Sequence, residues 1–434
     1  MTNPDAAVAP APVDNSRRFA CLDGYRALAA MAVVIYHVMG RLNIHTNQYL
    51  LGLYTSRLGN YGVTVFFLLS GFLLFRPFAV AHLRGTKSPD TGRFYVRRLL
   101  RIVPAYWVAL AVLIFVLQYR TIDGWGDVLT YFGFAQLYRS GGYAIGGLGQ
   151  AWSLCVEMAF YAAVPVLAIA FRHLWWGEAP TTTKRRLHSL LYGIGGLYAF
   201  GWLFRWWSLE HVQLAPTATS WLPSLADLFA MGMLLAVASA WVEVGGKLPA
   251  VVERFTRTPW LCWLFAVQVY WVLAMLHAPR AWEVETMTQG MVKPLFTGLS
   301  AFFLLIPGTL GPERRRGIPG FLRSAPLVFL GTISYGIYLW HTQFIELYLH
   351  LQSDGEVPRS FWPMLGFVMT LTIAASLLSY HLVEVPFQKL GHRRQQAKAS
   401  VPVPVPVPVS PSIADVEVDL TQATAASLRT AGPA

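Results

Sequence analysis

Four ionisable side chains in this sequence stand where nearly everything around them is apolar. Asp23, Arg26 and His37 share the stretch LDGYRALAAMAVVIYH, and Glu157 sits within AWSLCVEMAFYAAVPVL. A charge surrounded by lipid-like groups costs several kcal/mol, so such side chains usually face a cavity or a partner. Arg26 and His37 are three helical turns apart, which puts both on one helix face, about 16 Å from each other along the axis. A guanidinium holds an anion, and a neutral imidazole takes up a proton near pH 7. One face therefore offers anion binding at one depth and general-base chemistry at another. The plainer alternatives are snorkelling of Arg26 to the membrane surface and helix-to-helix hydrogen bonding by His37.

The stretch FYVRRLLRIVPAYW adds Arg97, Arg98 and Arg101. Spacings of three and four place Arg101 on a shared helical surface with the other two. Several guanidinium forks at one spot suit phosphate groups, with contact to anionic lipid as the alternative. Glu157 and Tyr161, four apart, are expected to point into one cavity. Pairing of Glu157 with His37 or an arginine is the functional reading, and tying two helices together is the other. FLGTISYGIYLWHTQFIELY contributes Ser334 and His341 as candidate cavity-lining groups, together with Glu346. Gly71, after Ser70 in FFLLSGFLLF, permits a close helix approach, and Arg205 with Asp227 reads as a structural ion pair. Cys21, Cys155 and Cys262 are scattered through apolar runs, which gives neither a disulfide framework nor a metal site. The glycine-rich residues 141–149 follow no strand, which argues against a dinucleotide fingerprint.

Ten apolar segments long enough to cross a bilayer position these groups: 22–39, 61–82, 102–118, 150–171, 190–207, 221–241, 260–277, 290–307, 326–350 and 361–387. The 434 residues are 55% hydrophobic and only 13% charged, against about 25% charged in soluble proteins. That excludes a set of soluble domains and excludes disorder over most of the chain. The fold class expected is an all-α polytopic membrane protein of ten transmembrane helices, residues 19–390. A polar Ala/Pro-rich lead, 1–18, is expected to be disordered and cytoplasmic. So is the tail 391–434, whose VPVPVPVPV favours extended polyproline II.

The net charge of +12 raises nucleic acid as a partner, but the basic residues cluster in short loops rather than on an aromatic-interleaved helix. Lys and Arg crowd alternate loops, those on the side of the N-terminus, leaving Arg41, Arg57, Arg120, Arg139, Arg280 and Arg359 on the other side. By the positive-inside rule the N- and C-termini are then cytoplasmic, in a plasma or inner membrane. Trp206, Trp207, Trp221, Trp260 and Trp362 fall at segment ends, as interfacial anchors do.

Taken together, these stretches resemble the membrane acyltransferase-3 family from residue 19 to residue 390. LDGYRALAAMAVVIYH is similar to its opening helix, with Arg26 and His37 as the family's Arg and His. VRRLLRIVPAYW resembles its Arg-x-x-Arg, here Arg98 and Arg101, and WSLCVEMAFY its WSLxxExxFY, here Glu157. YGVTVFFLLSGFLL, ISYGIYLWHT and LSYHLVEVPF complete the order. The resemblance implies an enzyme that moves an acyl group, acetyl or another short one, from acyl-CoA to a hydroxyl of a cell-envelope carbohydrate or glycolipid. It implies no metal or redox cofactor and the stand-alone type, without an extracytoplasmic hydrolase-like domain. On that reading Arg26, Arg98 and Arg101, supported by Arg97, hold the CoA phosphates. His37 acts as general base, or carries the acyl group, and Glu157 orients it. A secondary metabolite such as a macrolide is the alternative acceptor. A proton-coupled transporter using the same buried groups is the rival of a different class.

Overall fold

The computed structural model describes residues 19, 21–43, 50–118, 121–139, 148–173, 182–214, 216–276, 286–311, 316–353, 355 and 358–391. The lead 1–18, residues 141–147 and all but the first residue of the Val-Pro tail lie outside the described residues. Among those described there is no strand. Ten long helices carry the chain: α1 (Cys21–Arg41), α2 (Leu58–Arg84), α3 (Thr91–Ala111), α4 (Trp152–His173), α5 (Thr183–Glu210), α6 (Leu222–Glu243), α7 (Pro259–Met275), α8 (Met287–Thr309), α9 (Ser334–Ser353) and α10 (Phe361–Ser379). The chain up to Lys389 is one compact unit, and the stretch from Leu390 separates as a second.

Local chemistry explains the helix starts. Asp90 caps α3, its carboxylate accepting from the Arg93 N–H at 2.6 Å. Thr286 and Gln289 form a reciprocal capping box at α8. Pro259 stands at the first turn of α7, where its missing N–H is harmless.

Each expected segment coincides with a long helix, but the number of spans differs from the ten expected. Among the described residues eight helices are long and apolar enough to cross a membrane. α7 supplies a ninth only when counted with the short helix Ala250–Arg257, from which it bends by 97°. The segment at 326–350 departs for two physical reasons. Its backbone breaks at Ile333 into a short helix, Ala325–Thr332, and α9. α9 itself carries His341, Gln343, Glu346 and His350, too much polarity for an apolar span.

That break is held by close packing. A Cβ on Gly331 would come within 2.0 Å of the Asp23 carbonyl oxygen, so only glycine lets this turn rest against the start of α1. The middle of the bundle is built the same way. A Cβ on Gly71 of α2 would meet the Phe229 carbonyl oxygen at 2.4 Å, and one on Gly232 of α6 the Leu68 oxygen at 2.1 Å. Small residues facing each other let two backbones touch, as the sequence suggested for Gly71. Most of α2 and α6 is accordingly buried, whereas α5 and α10 show most of their surface. Tyr192, Phe200, Leu203 and Trp206 on α5 are exposed, as side chains are that meet lipid rather than water. Trp260 and Trp362, exposed at the starts of α7 and α10, fit interfacial anchoring.

Candidate functional site

A cavity of about 80 Å³ opens between α1, α2, α3, α4 and α9. Into it project Arg26 from α1, Ser70 from α2, Arg98 and Arg101 from α3, Glu157 and Tyr161 from α4, and Ser334 from α9. Helix periodicity explains the convergence on α3, since Arg98 and Arg101 are one turn apart and look the same way. Arg97 stands on the exposed side of that turn and is not part of the lining. Three guanidinium groups thus share a small space with one carboxylate.

Arg26 makes an ion pair with Asp23 one turn earlier, at 3.3 Å. Among the described residues Arg98 and Arg101 make no ion pair; the Arg98 guanidinium lies 6.0 Å from the centre of the Phe94 ring. Glu157 is satisfied by hydroxyls. Its Oε1 accepts from Ser70 Oγ and from Tyr161 Oη, each at 2.7 Å. The i, i+4 pairing of Glu157 with Tyr161 is therefore as expected. The expectation that Glu157 orients His37 is not met, because two nearer hydroxyls occupy that carboxylate.

His37 lies beyond the cavity wall, and its ring neighbour is His341, 5.0 Å away between centroids. His341 was expected to line the cavity; it is fully buried and sits against His37 instead, since α9 crosses α1 at this level. The hydrogen bonds fix a consistent set of neutral tautomers. His341 Nδ1 faces its own Ile337 carbonyl at 3.1 Å, so it carries the proton and leaves Nε2 an acceptor. His37 Nδ1 then donates, shared between the Val33 carbonyl at 2.9 Å and His341 Nε2 at 3.2 Å. In a neutral His37 ring with Nδ1 donating, Nε2 is the nitrogen without a proton.

Between cavity and histidine pair stands Tyr338, which lines the first and packs 6.0 Å from the His341 ring. Its hydroxyl donates to the Gln150 carbonyl at 2.5 Å and accepts from Ser153 Oγ at 2.6 Å. Gln150 in turn donates to the Leu339 carbonyl and accepts from Thr342, each at 2.9 Å. Tyr335 donates to the Ile102 carbonyl at 2.8 Å, fastening α9 to α3. Sequence reasoning missed Tyr338, although the signal was present: Ser334, Tyr338 and His341 follow one another at helical spacing on one face. Glu346, on the same helix, pairs with Arg41 at the far end of α1.

Elsewhere in the bundle the expected Arg205–Asp227 pair is present and fully buried. Arg205 donates to both carboxylate oxygens, at 2.9 and 2.5 Å, and to the Ser224 carbonyl at 2.5 Å. Among the described residues no group of three His, Cys, Asp or Glu side chains could hold a metal ion.

The sequence pattern of the acyltransferase-3 family, an acyltransferase domain, matches residues 19–381. The chain is similar to the peptidoglycan O-acetyltransferase OatA of Listeria monocytogenes, 26% identical over 387 residues, or 85% of this chain and 56% of that protein. It is equally similar, at 26% over 396 residues, to a putative O-acetyltransferase of Staphylococcus aureus strain COL, covering 85% of this chain and 57% of that one. A putative peptidoglycan O-acetyltransferase of Bacillus subtilis, YrhL, is 26% identical over 399 residues, 86% of this chain and 55% of that protein. The chain spans about half the length of these curated relatives. No solved structure matches.

Proposed function

The chain belongs to the acyltransferase-3 family, and from that premise we propose that this multi-pass membrane enzyme moves a short acyl group, such as acetyl, from acyl-CoA to a hydroxyl of a cell-envelope carbohydrate. The observation that carries the donor is the cavity in which Arg26, Arg98 and Arg101 converge. Phosphates are the common biological anions that match several guanidinium forks at once. On this reading the loops rich in Lys and Arg lie at the cytoplasmic face, the side from which CoA is supplied. Arg97, on the outer side of the same turn, adds charge at the mouth. The acceptor class follows two of the relatives, the peptidoglycan O-acetyltransferase OatA and the putative peptidoglycan O-acetyltransferase YrhL. Carbohydrate hydroxyls of that kind lie outside the membrane, in keeping with a chain that threads it.

In this mechanism the thioester arm runs from the arginines past Tyr338 towards His37. The acceptor hydroxyl gives its proton to His37 Nε2 as its oxygen attacks the thioester carbonyl carbon. The C–S bond breaks, the ester forms, and the proton held by His37 passes to the departing thiolate, so that CoA leaves as a thiol and the imidazole is neutral again. His341 fixes the ring of His37 by accepting a hydrogen bond from its Nδ1–H. Glu157 places a carboxyl group beside the arginines and accepts hydrogen bonds from the Ser70 and Tyr161 hydroxyls.

Losing a general base costs about 10²- to 10⁴-fold in rate. His37→Ala in nanodiscs is therefore expected to bind acyl-CoA like the wild type and to release free CoA at least a hundredfold more slowly. Full transfer by that variant removes His37 from the reaction. Absence of any acyl-CoA binding by the wild-type protein removes the donor assignment and favours a proton-coupled transporter.

A further inference from the structure

A second cavity, of about 260 Å³, adjoins the first and lies towards the other end of the bundle. Helix directions place it there. The arginine cavity takes Arg26 from the first half of α1, Arg98 and Arg101 from the middle of α3, Ser334 from the start of α9, Val63 to Leu74 along α2 and Ser153 to Tyr161 along α4. The second takes Asn60 from the start of α2, Trp152 from the start of α4, Leu209 from the end of α5, and Lys293 from the first turns of α8. α1 and α2 run in opposite senses, so the beginning of α2 marks the opposite face. Between Asn60 and Ser70 the helix rises about 15 Å, roughly half a hydrocarbon core.

The two cavities share two lining residues, Val63 and Phe67. Phe67 is one turn from Ser70, and its ring lies 6.3 Å from that of Trp152, edge-on. Phe66, beside it, packs 6.2 Å from Tyr338, which borders the histidine pair. One and a half turns of α2, residues 63–67, therefore separate three things: the arginine cavity, the histidine pair and the second cavity. The lining of that cavity differs in chemistry from the first. It is rich in neutral hydrogen-bonding side chains, Asn60, Thr64, Thr219, Ser220 and Thr297, with the indole of Trp152 at one wall. Two cations also reach it, Arg205, whose charge is matched by Asp227, and Lys293. Amides and hydroxyls recognise sugar hydroxyls, and an aromatic face covers the C–H side of a sugar ring.

We propose that this second cavity is the binding site for the carbohydrate acceptor, so that donor and acceptor approach Val63 and Phe67 from opposite faces of the membrane. The assignment rests on the proposed function and adds where the acceptor binds. Its test needs no acyl donor, which keeps the two separable. Ser220→Cys and Ser353→Cys are made singly in the full chain, whose three native cysteines are buried. Each is reconstituted in nanodiscs and labelled with a membrane-impermeant maleimide, with and without a millimolar tetrasaccharide of N-acetylglucosamine. Ser353, exposed at the end of α9, serves as a control outside the cavity; Thr219→Cys replaces Ser220→Cys should that variant fail to insert.

The expected result is labelling of the cavity cysteine slowed several-fold by the sugar, with Ser353→Cys unchanged. Equal rates with and without sugar at the cavity cysteine overturn the proposal, as does equal slowing at both positions. Acyl-CoA turnover by the wild-type protein is measured separately. Its absence contradicts the donor assignment, while protection by the sugar still reports on this cavity.

Discussion

Arg205 and Arg98 are guanidinium groups withdrawn from water by the same bundle, yet their surroundings differ. Arg205 meets Asp227 through both of its terminal nitrogens and the Ser224 carbonyl besides, and neither partner retains more than a few per cent of its surface. Arg98 shares a cavity with Arg26 and Arg101, and the carboxylate in that cavity is occupied by two hydroxyls. A paired buried charge holds helices together and asks for nothing more. Like charges gathered around a cavity repel one another, and the anion required by the proposed function would relieve that repulsion. The difference separates structure from binding without any appeal to ancestry.

The largest expected effect lies on the structural side. Arg205→Ala leaves Asp227 buried and uncompensated, a loss of about 3–5 kcal/mol. Thermal unfolding of the purified variant in detergent should show a much lower midpoint, and Asp227→Asn made alone should also lower it because the cation is then unpaired. A variant as stable as the wild type would mean that water or lipid headgroups reach this pair, and the contrast with the arginine cavity would fall.

Arg98→Ala and Arg101→Ala form the opposite arm. Each removes one positive charge from a repelling set, so unfolding midpoints should stay close to wild type. Each also removes charge-assisted bonds to a phosphate worth about 1.5–3 kcal/mol. Titration with acyl-CoA should therefore show affinity weakened about ten- to a hundredfold. Arg97→Ala, on the exposed side of the turn, should weaken it less. Equal losses at all three positions would point to general surface charge in place of a shaped site.

How far these features could be read from the sequence depends on whether they lie along one helix or between two. Arg98 with Arg101, and Glu157 with Tyr161, are three or four residues apart, and the helical repeat alone places each pair on one side. The Arg205–Asp227 pair was legible because two lone opposite charges in neighbouring apolar segments leave each other as partners. His37 against His341 was not legible. They are 304 positions apart, and their meeting depends on how α9 is rotated against α1, which no local pattern encodes. The break at Ile333 was missed for a related reason. Its cause is the backbone of Asp23 pressed on Gly331, a tertiary contact inside an otherwise continuous apolar run. The second cavity likewise takes single residues from several helix ends, each unremarkable alone.

The smallest expected effect sits on the boundary between the two regimes. Tyr338 lines the arginine cavity yet is fully engaged, donating to the Gln150 carbonyl and accepting from Ser153. Tyr338→Phe keeps the ring and its packing on His341 but strands both partners. The net cost of one such hydrogen bond is about 1 kcal/mol, more where a buried group is left unsatisfied, so the unfolding midpoint should fall modestly and far less than in Arg205→Ala. On the proposed function Tyr338 stands between the arginines that would hold the donor and His37, which makes a second demand. Its loss should lower the transfer rate while leaving acyl-CoA affinity unchanged, the reverse of Arg98→Ala. A fall in affinity instead would mean that the tyrosine hydroxyl belongs to the anion site. The boundary would then move inward, and the histidine pair would become part of the same cavity as the arginines.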